Sequence, residues 1–438
     1  MINLAKYFGT DGIRGRVGLE LTTSLAFKVG QSIKDVLKAD TLVIGCDTRE
    51  SSYDFMYSVA SGAQSLGINV ILAGVVPTPV IQYYSEVKKI YGVMITASHN
   101  PYHDNGIKVF KYGTKLSEEE ELAVEYFVDN RGEFDVISVG KVITSDEPLN
   151  IYKEIYKDLN LKKSNYVVAI DSAHGANSVI AKEMLSGYVK ELHQIGANPD
   201  GVNINNGVGS THLESIISLV KEKNADFGFS YDGDGDRFLL VDNDGDIIDG
   251  DKIIYIIASY LKSQNKLNKD TVVLTKMSNL GIIKAFNDLG IKVVKTDVGD
   301  KHVLAQIKEF DYSIGGENSG HIILFDHLST GDGLFVSMYI LKVLEETNKT
   351  LKELISPINM YPQKMENIKA YNKDIVNDQR ITDLVTKTQA LWSDDGKVLV
   401  RASGTEPLIR VTLSYKDEKE LDKVMSEFIS LFKTLKEE

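Results

Sequence analysis

Residues 41–46 read Thr-Leu-Val-Ile-Gly-Cys, and a helical pattern near Tyr53–Leu66 and a second apolar run, Asn69–Gly74 (NVILAG), follow. Runs that are apolar throughout, rather than alternating, belong to strands covered on both faces, as in a parallel sheet with helices above and below. The same theme recurs along the chain. Tyr91–Thr96 (YGVMIT), Tyr166–Asp171 (YVVAID) and Thr271–Thr275 (TVVLT) read as further buried strands, with helices at Ala176–Leu185 and Leu280–Leu289 after the last two. Leu66-Gly67-Ile68-Asn69-Val70-Ile71 has a counterpart in Leu289-Gly290-Ile291-Lys292-Val293-Val294. In both, a helix stops at Leu-Gly and a buried strand starts at once, with glycine as the terminator. This predicts an α/β fold of duplicated units rather than one large sheet, although such junctions also recur in unrelated proteins.

The C-terminal piece has a different pattern. Val398–Val400, an alternating strand at Leu408–Tyr415 and a long helix at Lys416–Lys436 read as a small α+β domain. Pro357–Gln363, with two prolines, reads as a linker. A length of 438 residues suggests about three domains. The net charge of −13 argues against a nucleic-acid partner, because a phosphate backbone wants a basic face. An acidic protein that binds a small phosphate must gather its Arg and Lys in one pocket. The single cysteine, Cys46, cannot form an internal disulfide, which points to a reducing, cytoplasmic setting. Met1–Phe8 has no apolar core of a signal peptide, and no run approaches the roughly 18 apolar residues that span a membrane.

Five loops combine small residues with reactive polar ones, and four of them follow a predicted strand, where open α/β sheets place ligands. In Thr96-Ala97-Ser98-His99-Asn100-Pro101 the serine stands at the sheet edge, as a nucleophile, a phosphate acceptor or a helix N-cap. Neighbours such as Ser98 and His99 are expected to point apart, so they are no triad by themselves. In Asp232-Gly233-Asp234-Gly235-Asp236-Arg237, carboxylates at i, i+2 and i+4 can converge in an extended loop and would repel one another without a cation. Hard oxygen ligands suit Mg²⁺ or Ca²⁺. An EF-hand fails here, since its sixth position is Arg237 and its twelfth Asn243. The nearby Asp242–Asp246 stretch, with its Asp-Gly pair between apolar runs, reads as a hairpin turn.

The third loop, Arg401-Ala402-Ser403-Gly404-Thr405-Glu406-Pro407 followed by Arg410, offers two guanidiniums, two hydroxyls and exposed amides to a dianion. The fourth, Gly315-Gly316-Glu317-Asn318-Ser319-Gly320-His321, carries groups that read sugar hydroxyls. The fifth, Phe8-Gly9-Thr10-Asp11-Gly12-Ile13-Arg14-Gly15, looks like a phosphate-approaching loop but lacks the Lys-Ser/Thr of a P-loop. Together these parts imply phosphoryl transfer on a small phosphorylated polyol.

In this order the five loops resemble the α-D-phosphohexomutase family, from Tyr7 to Val411, with TASHNP at Thr96, DGDGDR at Asp232 and RASGTEP at Arg401 as the most specific motifs. YFGTDGIRGRVG, PDGVNINNGVGSTH, MSNLG and GENSGH are similar to its bacterial amino-sugar branch. The resemblance implies four domains round a central cleft, three similar mixed α/β domains and a smaller C-terminal α+β domain. Their expected bounds are 1–150 (phosphoserine), 151–250 (metal), 251–362 (sugar) and 363–438 (phosphate).

By the same resemblance Ser98 is the phosphoserine and a metal ligand, with Asp232, Asp234 and Asp236 completing a single Mg²⁺ site. Glu317, Asn318 and Ser319 read the sugar, and Arg401, Ser403, Gly404, Thr405 and Arg410 hold the other phosphate. Lys108 and Arg14 are candidates for proton transfer and charge stabilisation. His99 and Arg237 join the candidate catalytic set. The implied reaction converts glucosamine 6-phosphate to glucosamine 1-phosphate, toward UDP-N-acetylglucosamine, with glucosamine 1,6-bisphosphate or glucose 1,6-bisphosphate as intermediate or activator. Glucose or mannose phosphate is the alternative substrate, and a homodimer is left open.

Ala402, Val208 and the pair Lys301-His302 depart from the family's usual Pro, Cys and Arg-Tyr, and the last change puts that loop's substrate contacts in doubt. A non-catalytic sugar-phosphate sensor would tolerate loss of Ser98 or an aspartate, yet all four are present.

Overall fold

The structure, a computed structural model, describes residues 6–9, 11–132, 139–370, 372–402 and 408–437. The chain divides into two compact units, Met1–Met277 with Val294–Leu354, and Ser278–Val293 with Ile355–Glu438.

In the first unit, Thr41–Cys46 lies between Asn69–Val75 and Tyr91–Ile95, parallel to both. Its residues from Leu42 to Cys46 are buried, as an all-apolar strand requires. The sheet is mixed rather than purely parallel: Asp104–Lys111 returns antiparallel beside Tyr91–Ile95, and Gly12–Arg16 adds antiparallel beyond it. Helices Thr23–Asp35 and Ser52–Ser65 cover one face. They cross backbone to backbone at Gly62, where a Cβ would stand 1.9 Å from the Phe27 carbonyl oxygen.

A second sheet places Val167–Asp171 parallel to Glu191–Ile195 and Phe227–Tyr231, and Phe238–Asp242 then returns antiparallel. The hairpin turn at 242–246 forms as its Asp-Gly pair predicts, with the Asp242 carboxylate accepting from the Asp244 and Asp246 amides at 3.0 and 2.9 Å. In a third sheet Thr271–Thr275 runs parallel to Ile314–Gly316, which pairs antiparallel with Ile322–Leu324.

The three sheets share one device. A parallel strand ends, a short reactive segment follows, and an antiparallel strand returns. The three segments contain Ser98, Asp232–Asp236 and Glu317–His321. At the two expected junctions the helices do stop before Gly67 and Gly290, both with positive φ, but the strands that follow, Asn69–Val75 and Lys292–Thr296, are only partly buried; the reactive loops occupy equivalent places in the three sheets. The fifth loop differs from expectation. Phe8–Gly9 and Gly12–Arg16 form an edge hairpin, so Arg14 stands on a strand.

Helix Gly333–Thr347 is apolar nearly all round and buried along most of its length, as a central helix must be. Asp332 caps it, accepting from the Phe335 amide at 2.9 Å and the Tyr152 hydroxyl at 2.7 Å. The Gly333 amide in turn donates to the Gly235 carbonyl at 3.0 Å, which ties the helix start to the aspartate loop. Burial outweighs those hydrogen bonds and pushes the Asp332 carboxyl up to about 6. In the unfolded chain it titrates near 4. The folded state therefore keeps a proton that the unfolded state releases, and stability falls as pH rises from about 4 to about 6. We expect Asp332→Asn, which still caps, to gain about 2–3 kcal/mol relative to wild type between pH 4 and pH 7. Urea unfolding at the two pH values measures it, and an unchanged difference contradicts the assignment.

The second unit contains a three-stranded antiparallel sheet, Gln363–Lys369, Leu408–Tyr415 and Gly396–Ala402, with helices Gln379–Trp392 and Glu418–Glu437. Leu421, Val424, Phe428 and Phe432 recur at helical spacing and form its core with Ile409, Val411 and Leu413. This is the small α+β piece expected from the pattern. Among the described residues no helix is long and apolar enough to cross a membrane.

Candidate active site

Ser98 follows a buried strand and takes a left-handed conformation, φ 53°. For a residue with a Cβ this costs roughly 1–2 kcal/mol, and such strain persists only where surroundings hold it. Its effect is to turn the hydroxyl inward. Ser98 Oγ donates to Asp232 Oδ2 at 2.6 Å, with its backbone amide on Thr96 Oγ1 at 2.8 Å. The expected divergence of Ser98 and His99 does not occur. His99 Nδ1 lies 3.3 Å from Ser98 Oγ, because the left-handed residue bends the chain back. Burial and then the Arg237 and Arg14 charges bring His99 down to about 4, so its ring is neutral at pH 7.

Asp232, Asp234 and Asp236 converge, with one oxygen of each lying within 4.8 Å of the others. All three are buried. Lys108 enters from the strand Asp104–Lys111 and reaches Asp234 Oδ2 at 2.8 Å, Asp236 Oδ2 at 3.2 Å and Asp11 Oδ2 at 3.0 Å. Burial disfavours its charge, but Asp11, Asp234 and Asp236 overcome that and hold it well above the usual lysine range. Burial opposes the charge of Asp236 too, yet Lys108 and His321 keep its carboxyl well below the usual range. For Asp232, burial first and then Asp236 and Asp234 push the carboxyl far up, against the opposing pull of Arg237 and the Ser98 hydroxyl. Asp234 Oδ1 and Asp236 Oδ1 are buried with no hydrogen-bond partner. Buried acceptors are rarely left so. Clustered hard oxygens, two of them without a hydrogen-bond partner, fit a divalent cation.

Above this floor lies a cavity of about 460 Å³. Arg14, His99, Arg237, Glu317 and His321 line it, with Asp11, Asp300 and residues of the edge hairpin. Arg14 and Arg237 each keep a buried Nε without a hydrogen-bond partner. Two guanidiniums with a spare donor apiece make an anion cradle.

Glu317 accepts from the Gly299 amide at 2.9 Å and forms part of the wall. Asn318 is exposed and Ser319 half-buried, and neither lines the cavity. Lys301 turns instead to Glu118 at 3.3 Å. Arg401 and Arg410, in the second unit, stand directly opposite each other on paired strands and so share one face. Arg410 Nε also reaches Asn367 at 3.1 Å. Ser403, Gly404 and Thr405 lie outside the described residues.

His321 stands among the site residues, although the sequence reading assigned it no role. Its Nδ1 lies 3.7 Å from Asp236 and its Nε2 3.7 Å from Asp300, and the Gly331 amide points at Nε2 from 3.2 Å. Lys115 was also missed; it bridges Asp11 at 2.6 Å and Asp300 at 2.7 Å. Only the histidine had a signal, its place inside GENSGH.

This floor, cradle and wall match a known class. The description phosphoglucomutase/phosphomannomutase, alpha/beta/alpha, matches as domain I over residues 5–134, as domain II over 151–245 and as domain III over 249–361; the C-terminal domain matches over 361–431. The chain belongs to this phosphohexomutase family, whose members are intramolecular phosphotransferases. Among its relatives are the phosphoglucosamine mutases of Anoxybacillus flavithermus, 42% identical over 93% of this chain and 94% of that one, and of Bacillus velezensis, 40% identical over 98% and 99%. A family protein of known structure from Burkholderia thailandensis superposes with a TM-score of 0.80 at 22% identity, covering 98% of this chain and 97% of that one. N-acetylphosphoglucosamine mutase of Aspergillus fumigatus, solved with GlcNAc-6P and magnesium, does so with 0.67 at 17%, covering 97% and 95%.

Proposed function

We propose that the chain interconverts glucosamine 6-phosphate and glucosamine 1-phosphate by way of a phosphoryl group on Ser98. The observation that carries this reading is the turned-in Ser98 hydroxyl at 2.6 Å from Asp232, on the rim of a carboxylate cluster with two unsatisfied oxygens. In the proposed reaction the Oγ–P bond of phosphoserine breaks and a P–O bond to the free sugar hydroxyl forms. The hydroxyl's proton passes to a base. The resulting 1,6-bisphosphate turns over, and its other phosphate returns to Ser98.

Asp232, Asp234 and Asp236, with an oxygen at Ser98, would hold Mg²⁺, which supplies neutralisation of charge on the transferring group. Arg14 and Arg237 cradle that phosphate with their spare Nε donors. His99, neutral beside Ser98 Oγ, is the better proton acceptor. Lys108 serves as a fixed positive charge, since a lysine held well above its usual range has no lone pair to offer. Glu317 reads sugar hydroxyls from the wall, and Arg401 and Arg410 bind the non-reacting phosphate.

Amino-sugar specificity draws its support from the 42%- and 40%-identical relatives. With a bisphosphate activator present, we expect kcat/KM for glucosamine phosphate to exceed that for glucose and mannose phosphates by about tenfold or more. Equal turnover of glucose or mannose phosphate would favour the phosphoglucomutase/phosphomannomutase reading instead.

A further inference from the structure

We propose that Asn205 and Arg49 form a clamp that positions Ser98 for phosphoryl transfer, an inference that rests on the phosphoserine reading above. Asn205 lies in Pro199–Asn206, a stretch given no chemical role so far. Its side-chain amide donates to the Ser98 carbonyl at 2.9 Å and the Asn100 carbonyl at 3.1 Å. Arg49 Nη2 donates to the same two carbonyls, at 3.0 and 2.8 Å. Each carbonyl oxygen has two lone pairs, so both are filled, by donors from loops attached to two different sheets.

The grip extends further. Arg49 is 1% exposed, and it also reaches the Asp104 carbonyl at 2.9 Å, the Pro101 carbonyl, and Asp47 Oδ2 at 2.9 Å. Asp47 Oδ2 accepts as well from Thr96 Oγ1 at 2.8 Å, the hydroxyl that receives the Ser98 amide. Ser98 is therefore held on its N–H side by Thr96 and Asp47, and on its carbonyl side by Arg49 and Asn205. The Asn205 segment is itself docked, since the Glu50 amide donates to the Gly201 carbonyl at 2.9 Å and the Asn205 amide to the Ala173 carbonyl at 2.9 Å.

A left-handed serine is strained, and such strain persists only where the surroundings hold it. Relaxation would swing Oγ off Asp232 and away from the carboxylate floor. Neither clamp residue lines the cavity, so loss of the clamp should lower kcat and leave KM alone. That makes Asn205 and Arg49 positioning residues, acting through Ser98.

The test compares Asn205→Asp and Asn205→Ala in the full-length enzyme. Asp has the shape of Asn but only acceptors, which it would aim at two carbonyls. A clamp predicts kcat in the order wild type, Ala, Asp, with Asp lower by roughly 10²-fold and KM within about twofold. A residue that merely fills space predicts the reverse order, with Asp nearest to wild type, and that result overturns the proposal. Should the Asp variant fail to fold, Arg49→Lys decides. It keeps the charge beside Asp47 but cannot span four carbonyls, so kcat falls with KM unchanged; an unchanged kcat overturns the clamp. Ser98→Ala is the control. If it stays active, the phosphoserine reading fails; if it is dead while Asn205→Asp works normally, only the clamp fails.

Discussion

Ser98→Ala is expected to lower turnover by at least about 10⁴-fold, some 5.5 kcal/mol of barrier, while the protein stays folded. The purified wild type should contain a population about 80 Da heavier, the mass of an added phosphoryl group, and the variant should not. The size of the effect follows from the geometry. Ser98 is 1% exposed, and its hydroxyl is the one at hydrogen-bond distance from the Asp232 carboxylate, 2.6 Å. No water or second hydroxyl in that position could be carried from one half-reaction to the next. Alanine keeps the Cβ, so the left-handed backbone is as strained as in the wild type, and the loss is one hydrogen bond to Asp232; the variant should stay folded. Full activity in the alanine variant, or an undiminished heavy population, would end the phosphoserine proposal.

Asp234→Asn is expected to weaken Mg²⁺ binding by roughly 10- to 100-fold, the range seen when a metal site loses one element of its support, and activity with it. Asp234 Oδ2 is already engaged by Thr78 Oγ1 at 2.6 Å and Lys108 at 2.8 Å, while Oδ1 is buried without a hydrogen-bond partner. The amide would keep the acceptor role toward Thr78 and Lys108 but bring no charge to the ion. Stability offers a second measure. A ligand at 100 times its Kd adds about 2.7 kcal/mol to folding, so the thermal upshift that Mg²⁺ gives the wild type should shrink in Asp234→Asn at equal Mg²⁺. Calorimetry showing equal affinity in the two proteins would remove the metal assignment.

Much of the scaffold was legible because its signals are local. All-apolar runs such as Thr41–Cys46 and Thr271–Thr275 announce strands with both faces covered, and both are fully or almost fully buried. The Asp242–Asp246 turn and the amphipathic last helix could be read in the same way. The aspartate loop was legible too, since alternate carboxylates separated by glycines have few uses other than an ion.

What the chain order could not show is which distant groups meet. His99 lies beside Ser98 where Ser98 has a positive φ, and donors from positions 49 and 205 bond the Ser98 carbonyl. Lys108 is surrounded by three carboxylates from two loops, a grouping that its own stretch of sequence does not announce. His321 and Lys115 enter the site beside Asp236 and Asp11, partners far away in sequence.

By itself the sequence determined the α/β units, the small C-terminal domain and the convergence of three aspartates, because periodicity, turn chemistry and motif spacing act within a few residues; the serine was singled out only by its resemblance to a family motif. Tertiary structure decided the burial and the neighbouring charges that shift Lys108, His99 and Asp232, and the aim of the Ser98 hydroxyl. Those depend on groups brought together by folding, which no local pattern encodes.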